Sequence, residues 1–122
     1  MSRTTARKSA HISLADMQPR AEQAAAMLSA MANPKRLLVL CSLVEQEHSV
    51  GELAELVGLS DAALSQHLSK MRALNLVRSR RDGQTIYYTL ASGDVRAVLE
   101  TLHQRFCENR PGTERVELSV RN

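Results

Sequence analysis

A mainly α domain of five helices with one two-stranded β-hairpin is predicted by three observations. Apolar residues recur at helical spacing in separate stretches, Ser and Asn stand where helix N-caps are needed, and Asp82-Gly83 divides two β-rich runs. A chain of 122 residues accommodates one domain.

Residues 1–16 have no apolar period and hold Ser, Thr, Arg and Lys, so they are expected to form a flexible basic arm ahead of a domain spanning 17–108. The first helix is expected from about Gln18 to Met31, where Ala21, Ala24, Ala25, Leu28 and Met31 follow helical spacing. Asn33 then has the character of an N-cap and Pro34 that of a first helical residue, since proline loses nothing there by lacking an N–H. That second helix runs to about Val44. The third, about Val50–Val57, opens on a capping box of Ser49 and Glu52 and stops at Gly58, where a left-handed conformation suits a residue without a Cβ.

Ser60 caps a fourth helix reaching about Leu74, with Leu64, Leu68 and Met71 pointing inward. Only Gly58-Leu59-Ser60 separates it from the third, which is the short turn of a helix-turn-helix. Asn75 suits a C-cap; Leu76–Arg81 and Thr85–Leu90 then alternate as two strands about the Asp82-Gly83 turn. Ser92 opens a fifth helix with Val95, Val98, Leu99, Leu102 and Phe106 on one stripe, and residues 109–122, broken by Pro111-Gly112, are expected to be an irregular tail.

Helix, tight turn, helix and hairpin in that order make a winged helix-turn-helix. Phe106 is the only Phe, and a core so short of large apolar residues favours a homodimer. No run reaches the roughly 18 apolar residues of a membrane span, and no signal-peptide pattern follows Arg3, Arg7 and Lys8, so the expectation is a cytoplasmic protein without a membrane partner.

Charge is unevenly spread. Residues 60–90 carry Lys70, Arg72, Arg78, Arg80 and Arg81 against Asp61 and Asp82, an excess suited to phosphate contact and hence to double-stranded DNA. If the fourth helix enters a major groove, Ala62, Ser65, Gln66 and Ser69 offer small or polar outward side chains. Gln66 is the leading candidate for reading a base, because its amide can bond an adenine edge twice. Ser65, His67 and Lys70 are expected to hold phosphates, and Arg80 and Arg81, beside the hairpin turn, to reach phosphates or the minor groove.

The stretches Met31–Leu40, Val50–Ala54, Leu59-Ser60, Leu64–Leu68, Leu74–Val77 and Arg81–Tyr88 together resemble the ArsR/SmtB family of bacterial winged-helix repressors. The resemblance covers about residues 20–108. It implies a dimer joined through the first and last helices, bound to an inverted-repeat operator and released by an inducer.

Many members of that family respond to metals, but the residues here depart from both metal patterns. Ser49 and Gly51 stand where a Cys-x-Cys box would lie, and Asp94 is followed by Arg96 where a His is needed. The only two cysteines, Cys41 and Cys107, fall instead on the second and last helices, as in the persulfide-responsive, BigR/SqrR-like branch. That likeness implies a redox-sensing pair joined by a disulfide or polysulfide when a persulfide or polysulfide inducer arrives. On a helical wheel Cys41 shares the apolar face of Leu37, Leu40 and Val44, whereas Cys107 lies at the margin of its stripe, so Cys107 is expected to meet the oxidant first. The structural alternative for Cys41 is a small buried apolar residue. A response to general oxidants, or to a thiophilic metal or arsenite with His103 as third ligand, stays open as the alternative function. No cofactor is called for, and no Gly-rich loop or Cys-x-x-Cys supports an enzyme built on these thiols with His48, His67 or His103 as base.

Overall fold

Capping residues set the boundaries of most elements in the computed structural model, which describes residues 11–108. Among these, α1 is a single turn, Leu14–Met17, capped by Ser13; a 3₁₀ turn over Gln18–Arg20 leads into α2, Ala21–Met31. Pro19, which cannot donate within an α-helix, sits in the 3₁₀ segment and divides what the spacing predicted as one helix. Helical structure thus begins at Leu14, inside the segment expected to be an arm; residues 1–10 and the tail 109–122 lie outside the described residues.

The second predicted helix is α3, Pro34–Glu45, whose N-cap Asn33 accepts a hydrogen bond from the Arg36 N–H. The Leu14–Met31 segment and α3 meet at 94°. Next come β1, His48–Ser49, then α4, Val50–Val57, opened by the reciprocal Ser49–Glu52 capping box. Gly58 has φ +71° and ends α4, as expected. The fourth predicted helix is α5, Asp61–Ala73, with the Ser60 hydroxyl accepting from Ala63 N–H. It closes in a Schellman arrangement around Asn75, φ +62°: Asn75 N–H donates to the Arg72 carbonyl and Leu76 N–H to that of Met71.

Strands β2, Val77–Asp82, and β3, Thr85–Leu90, form the hairpin, and α6, Gly93–Cys107, follows the Ser92 cap. Two details correct the sequence reading. Asp82 pairs with Thr85, so the turn is Gly83-Gln84 and not Asp82-Gly83; Gly83 alone takes positive φ, as a type II′ turn requires. The sheet also has three strands and not two, in the order β1-β3-β2, because His48 and Ser49 pair antiparallel with Tyr88 and Tyr87.

One core joins all layers. Val39, Leu40 and Leu43 of α3 meet Leu53 and Val57 of α4, Leu64, Leu68 and Met71 of α5, Val77 and Tyr88 of the sheet, and Val95 and Leu99 of α6. The predicted inward residues of α5 are all there. The outer parts of the first and last predicted helices are not: Leu28 is 51% and Phe106 63% exposed in the single subunit. No single described helix is long and apolar enough to cross a membrane.

Candidate nucleic-acid interface and thiol pair

The position of α5 is fixed from both ends and from beneath. Leu64, Leu68 and Met71 anchor its inner face, and the positive-φ residues Gly58 and Asn75 turn the chain sharply before and after it. Lys35 Nζ donates to the Val57 carbonyl at 2.6 Å, closing the end of α4 where the connecting turn begins. Ala62, Ser65, Gln66, Ser69 and Lys70 are left exposed. Small and polar side chains therefore cover the free face of the helix, with Lys70 toward its C-terminal end.

His67, expected to hold a phosphate, makes an internal contact in the free protein. It is half-buried, and its Nδ1 lies 3.2 Å from Arg36 Nη1, which requires that nitrogen to be an acceptor. Burial, then the neighbouring charges of Arg36 and Lys70, hold the imidazole pKa below its ordinary value and favour the neutral ring. Arg36 also donates through Nε to the Ala30 carbonyl at 2.6 Å. One guanidinium thus connects the end of α2 to the middle of α5. Arg36 belongs to a stretch that resembles the family, yet spacing alone gave no hint of this bridge.

The wing likewise divides its two expected contacts. Arg80 is engaged internally: Nε and Nη2 donate to Glu47 at 2.7 and 2.8 Å, and the guanidinium lies 4.6 Å from the Tyr87 ring centroid. The hydrogen bond holds the Glu47 carboxyl below its usual range and raises Arg80 in turn. Pairing of Arg80 with Tyr87 puts both on the sheet face opposite the buried Val77 and Tyr88, and Glu47 just before β1 completes the clamp. Arg80 therefore braces the wing in the free protein. Arg81, nearer the turn, is exposed, as is Arg78; Arg72 Nη1 donates to Ser79 Oγ at 3.0 Å and ties the base of the wing to α5.

Cys41 and Cys107 are both free and exposed. This corrects the helical-wheel placement of Cys41: Leu40 is fully buried and Leu37 and Val44 half-buried, but the roll of α3 turns the thiol outward, so it is not a small core residue of the subunit. Burial of its surroundings, and then the charge of Cys107, push the Cys41 thiol pKa up. α3 and α6 pack against each other, which sets the two thiols on neighbouring helices. Between these helices lies a concavity of about 460 Å³ lined by Cys41, Val44, Glu45, Leu99, Glu100, His103, Gln104 and Glu108. His103 Nδ1 is 3.0 Å from Glu108 Oε2. Among the described residues no three His, Cys, Asp or Glu side chains converge as metal ligands.

A capped recognition helix, the short turn before it and a basic hairpin after it define a winged helix-turn-helix regulator. A model of the family described as bacterial regulatory protein, arsR family, matches residues 33–79, and the nodulation protein NolR of Rhizobium meliloti is 57% identical over 94 residues, 77% of each chain. The chain belongs to the arsR family. Among solved structures, reduced HlyU from Vibrio cholerae is similar with a TM-score of 0.73 at 46% identity over 77% of this chain and 99% of that one. The transcriptional repressor BigR from Xylella fastidiosa gives 0.74 at 35% identity over 80% and 100%, and a homodimeric winged helix-turn-helix domain from Mycobacterium bovis gives 0.63 at 30% over 67% and 76%.

Proposed function

We propose that this protein is a homodimeric repressor whose grip on an inverted-repeat operator is weakened when a persulfide links Cys41 to Cys107. The observation that carries the reading is that the two exposed thiols stand on α3 and α6, helices that pack against each other and border one concavity. The exposed faces of Ala62, Ser65, Gln66, Ser69 and Lys70, with Arg81 on the wing, supply the DNA contacts. The apolar Leu28 of α2 and Phe106 of α6, exposed in one subunit, support dimerisation through these helices, in keeping with the homodimeric relative.

The chemistry balances with a persulfide, R–S–SH, as the oxidant. The Cys107 thiolate attacks the outer sulfur, the S–S bond breaks, and the thiol R–SH leaves, giving Cys107–S–SH. Cys41 then attacks the inner sulfur as its thiolate; a disulfide forms and hydrogen sulfide departs. Each additional sulfur in the bridge consumes one further persulfide and releases one further thiol. Because α3 carries Arg36 as well as Cys41, a bond to α6 pulls on the helix that also holds α5, and the spacing of the two recognition helices in the dimer changes. The thiophilic-metal alternative lacks support from a third ligand, since His103 is turned to Glu108.

Intact mass spectrometry of the reduced protein after exposure to glutathione persulfide, and separately to peroxide or glutathione disulfide, tests this. Loss of two protons, with whole sulfur atoms gained where a polysulfide forms, is expected only with the persulfide. It should be abolished by Cys107→Ser and accompanied by weaker binding to a promoter fragment. A response to peroxide alone moves the protein to the general oxidant sensors.

A further inference from the structure

The concavity beside Cys41 has a charge that a persulfide donor must meet before it reacts. Val44 and Leu99 give it apolar walls and Cys41 opens onto it, while Cys107 lies between the lining residues Gln104 and Glu108 in the chain. Among the described residues that line it, three are carboxylates, Glu45 of α3, Glu100 of α6 and Glu108 just beyond it, and none is Lys or Arg. The single imidazole, His103, is already directed at Glu108 at 3.0 Å. A volume of about 460 Å³ is ample for a small organic thiol carrier and far exceeds what a bare hydrosulfide needs.

Resting on the persulfide reading above, we infer that this acidic pocket is the donor entrance, and that it selects persulfides whose carrier bears an ammonium group and no carboxylate over those whose carrier is anionic. The electrophile is the protonated form, R–S–SH, so the charge of the complex being formed is set by R. Near three carboxylates a cationic R is concentrated and oriented beside the thiol pair, while an anionic R is repelled; both effects are local and screened by salt. The transfer itself is unchanged: the Cys107 thiolate takes the outer sulfur and R–SH departs. What the pocket sets is the rate at which each donor reaches it.

The test uses the full chain, reduced, with three donors of similar size: the persulfides of cysteamine (cationic), 2-mercaptoethanol (neutral) and 3-mercaptopropionate (anionic). Sulfur gain is followed by mass spectrometry under pseudo-first-order conditions at low and high salt. The expected order is cationic, neutral, anionic, with a spread on the order of tenfold at low salt that narrows toward parity as salt rises. The Glu45→Gln, Glu100→Gln double variant should flatten the order. Equal rates at low salt, a faster anionic donor, or a spread untouched by the double variant overturns the inference while the persulfide reading stands. Failure of all three donors to add sulfur overturns the persulfide reading itself.

Discussion

Removing Arg80 and removing Arg81 should have different effects on DNA binding, although the two are adjacent on one strand and carry the same charge. Arg81 is exposed near the hairpin turn, whereas Arg80 spends the Nε–Nη2 edge of its guanidinium on Glu47 and its face on Tyr87. Each phosphate contact contributes about 0.9 to the slope of log affinity against log salt, so a dimer that loses the contact from both wings should lose about 1.8. Between about 50 and 200 mM salt the affinity of the parent then falls about twelvefold more than that of Arg81→Ala. Arg80→Ala should leave most of that slope in place and weaken binding by a similar factor at every salt concentration, because what it removes is the brace of the wing. Glu47→Gln should act in the same direction, and the two changes together should cost little more than either alone. Fluorescence anisotropy with a duplex from the region upstream of the gene, titrated across salt, reads the parent and all four variants. A slope lost with Arg80→Ala as large as that lost with Arg81→Ala, or tighter binding by Glu47→Gln, would show that Arg80 leaves Glu47 for the DNA and would refute the reasoning.

Three other expectations concern titration and assembly. The neutral His67 ring contributes stability that is complete above its ordinary value of 6.5 and is lost as pH falls through the depressed folded value, since protonation sets a cation against Arg36. Urea denaturation at descending pH should therefore show the parent losing stability relative to His67→Asn, whose side-chain oxygen still accepts from Arg36 without titrating. In Cys107→Ser, alkylation of Cys41 should follow a pH profile with its inflection above the ordinary thiol value of 9.0, and only slightly below that of Cys41 in the parent, because burial outweighs the charge of Cys107. Phe106→Ser should shift the protein toward monomer in sedimentation at micromolar concentration, with helix content unchanged by circular dichroism, as expected of a residue 63% exposed in the single subunit. A variant that stays as dimeric as the parent would remove α6 from the interface.

What the sequence disclosed was whatever acts over a few residues. Ser49 with Glu52, Ser60, Asn33 with Pro34, and Gly58 each state a helix boundary locally, and the structure places those boundaries within about a residue of the expectation. The 3.6-residue spacing of Leu64, Leu68 and Met71 likewise determined the buried face of α5, and with it the outward set containing Gln66. What stayed hidden depends on partners far along the chain. Glu47 and Arg80 are 33 residues apart and Arg36 and His67 are 31 apart, so no local pattern revealed that one wing arginine and the recognition-helix histidine were already engaged. β1 is only two residues long, too short to show an alternation, and Ser49 serves it and a helix cap at once. The exposure of Cys41 turned on the roll of α3 against its neighbours, which a helical wheel resolves only to within a residue at the edge of an apolar face.

Lys35 and Arg36 are consecutive, yet their side chains bind carbonyls at the tails of two different helices, Val57 at the end of α4 and Ala30 near the end of α2. Helix ends are where movement ordinarily begins, because their last carbonyls have no partner of their own. Here those loose ends are fastened to the first turn of α3, which makes that helix an axle on which α2 and α4 are both mounted. Under the proposed link to Cys107, a torque applied at Cys41, further along the same rod, should reach both through these two fastenings.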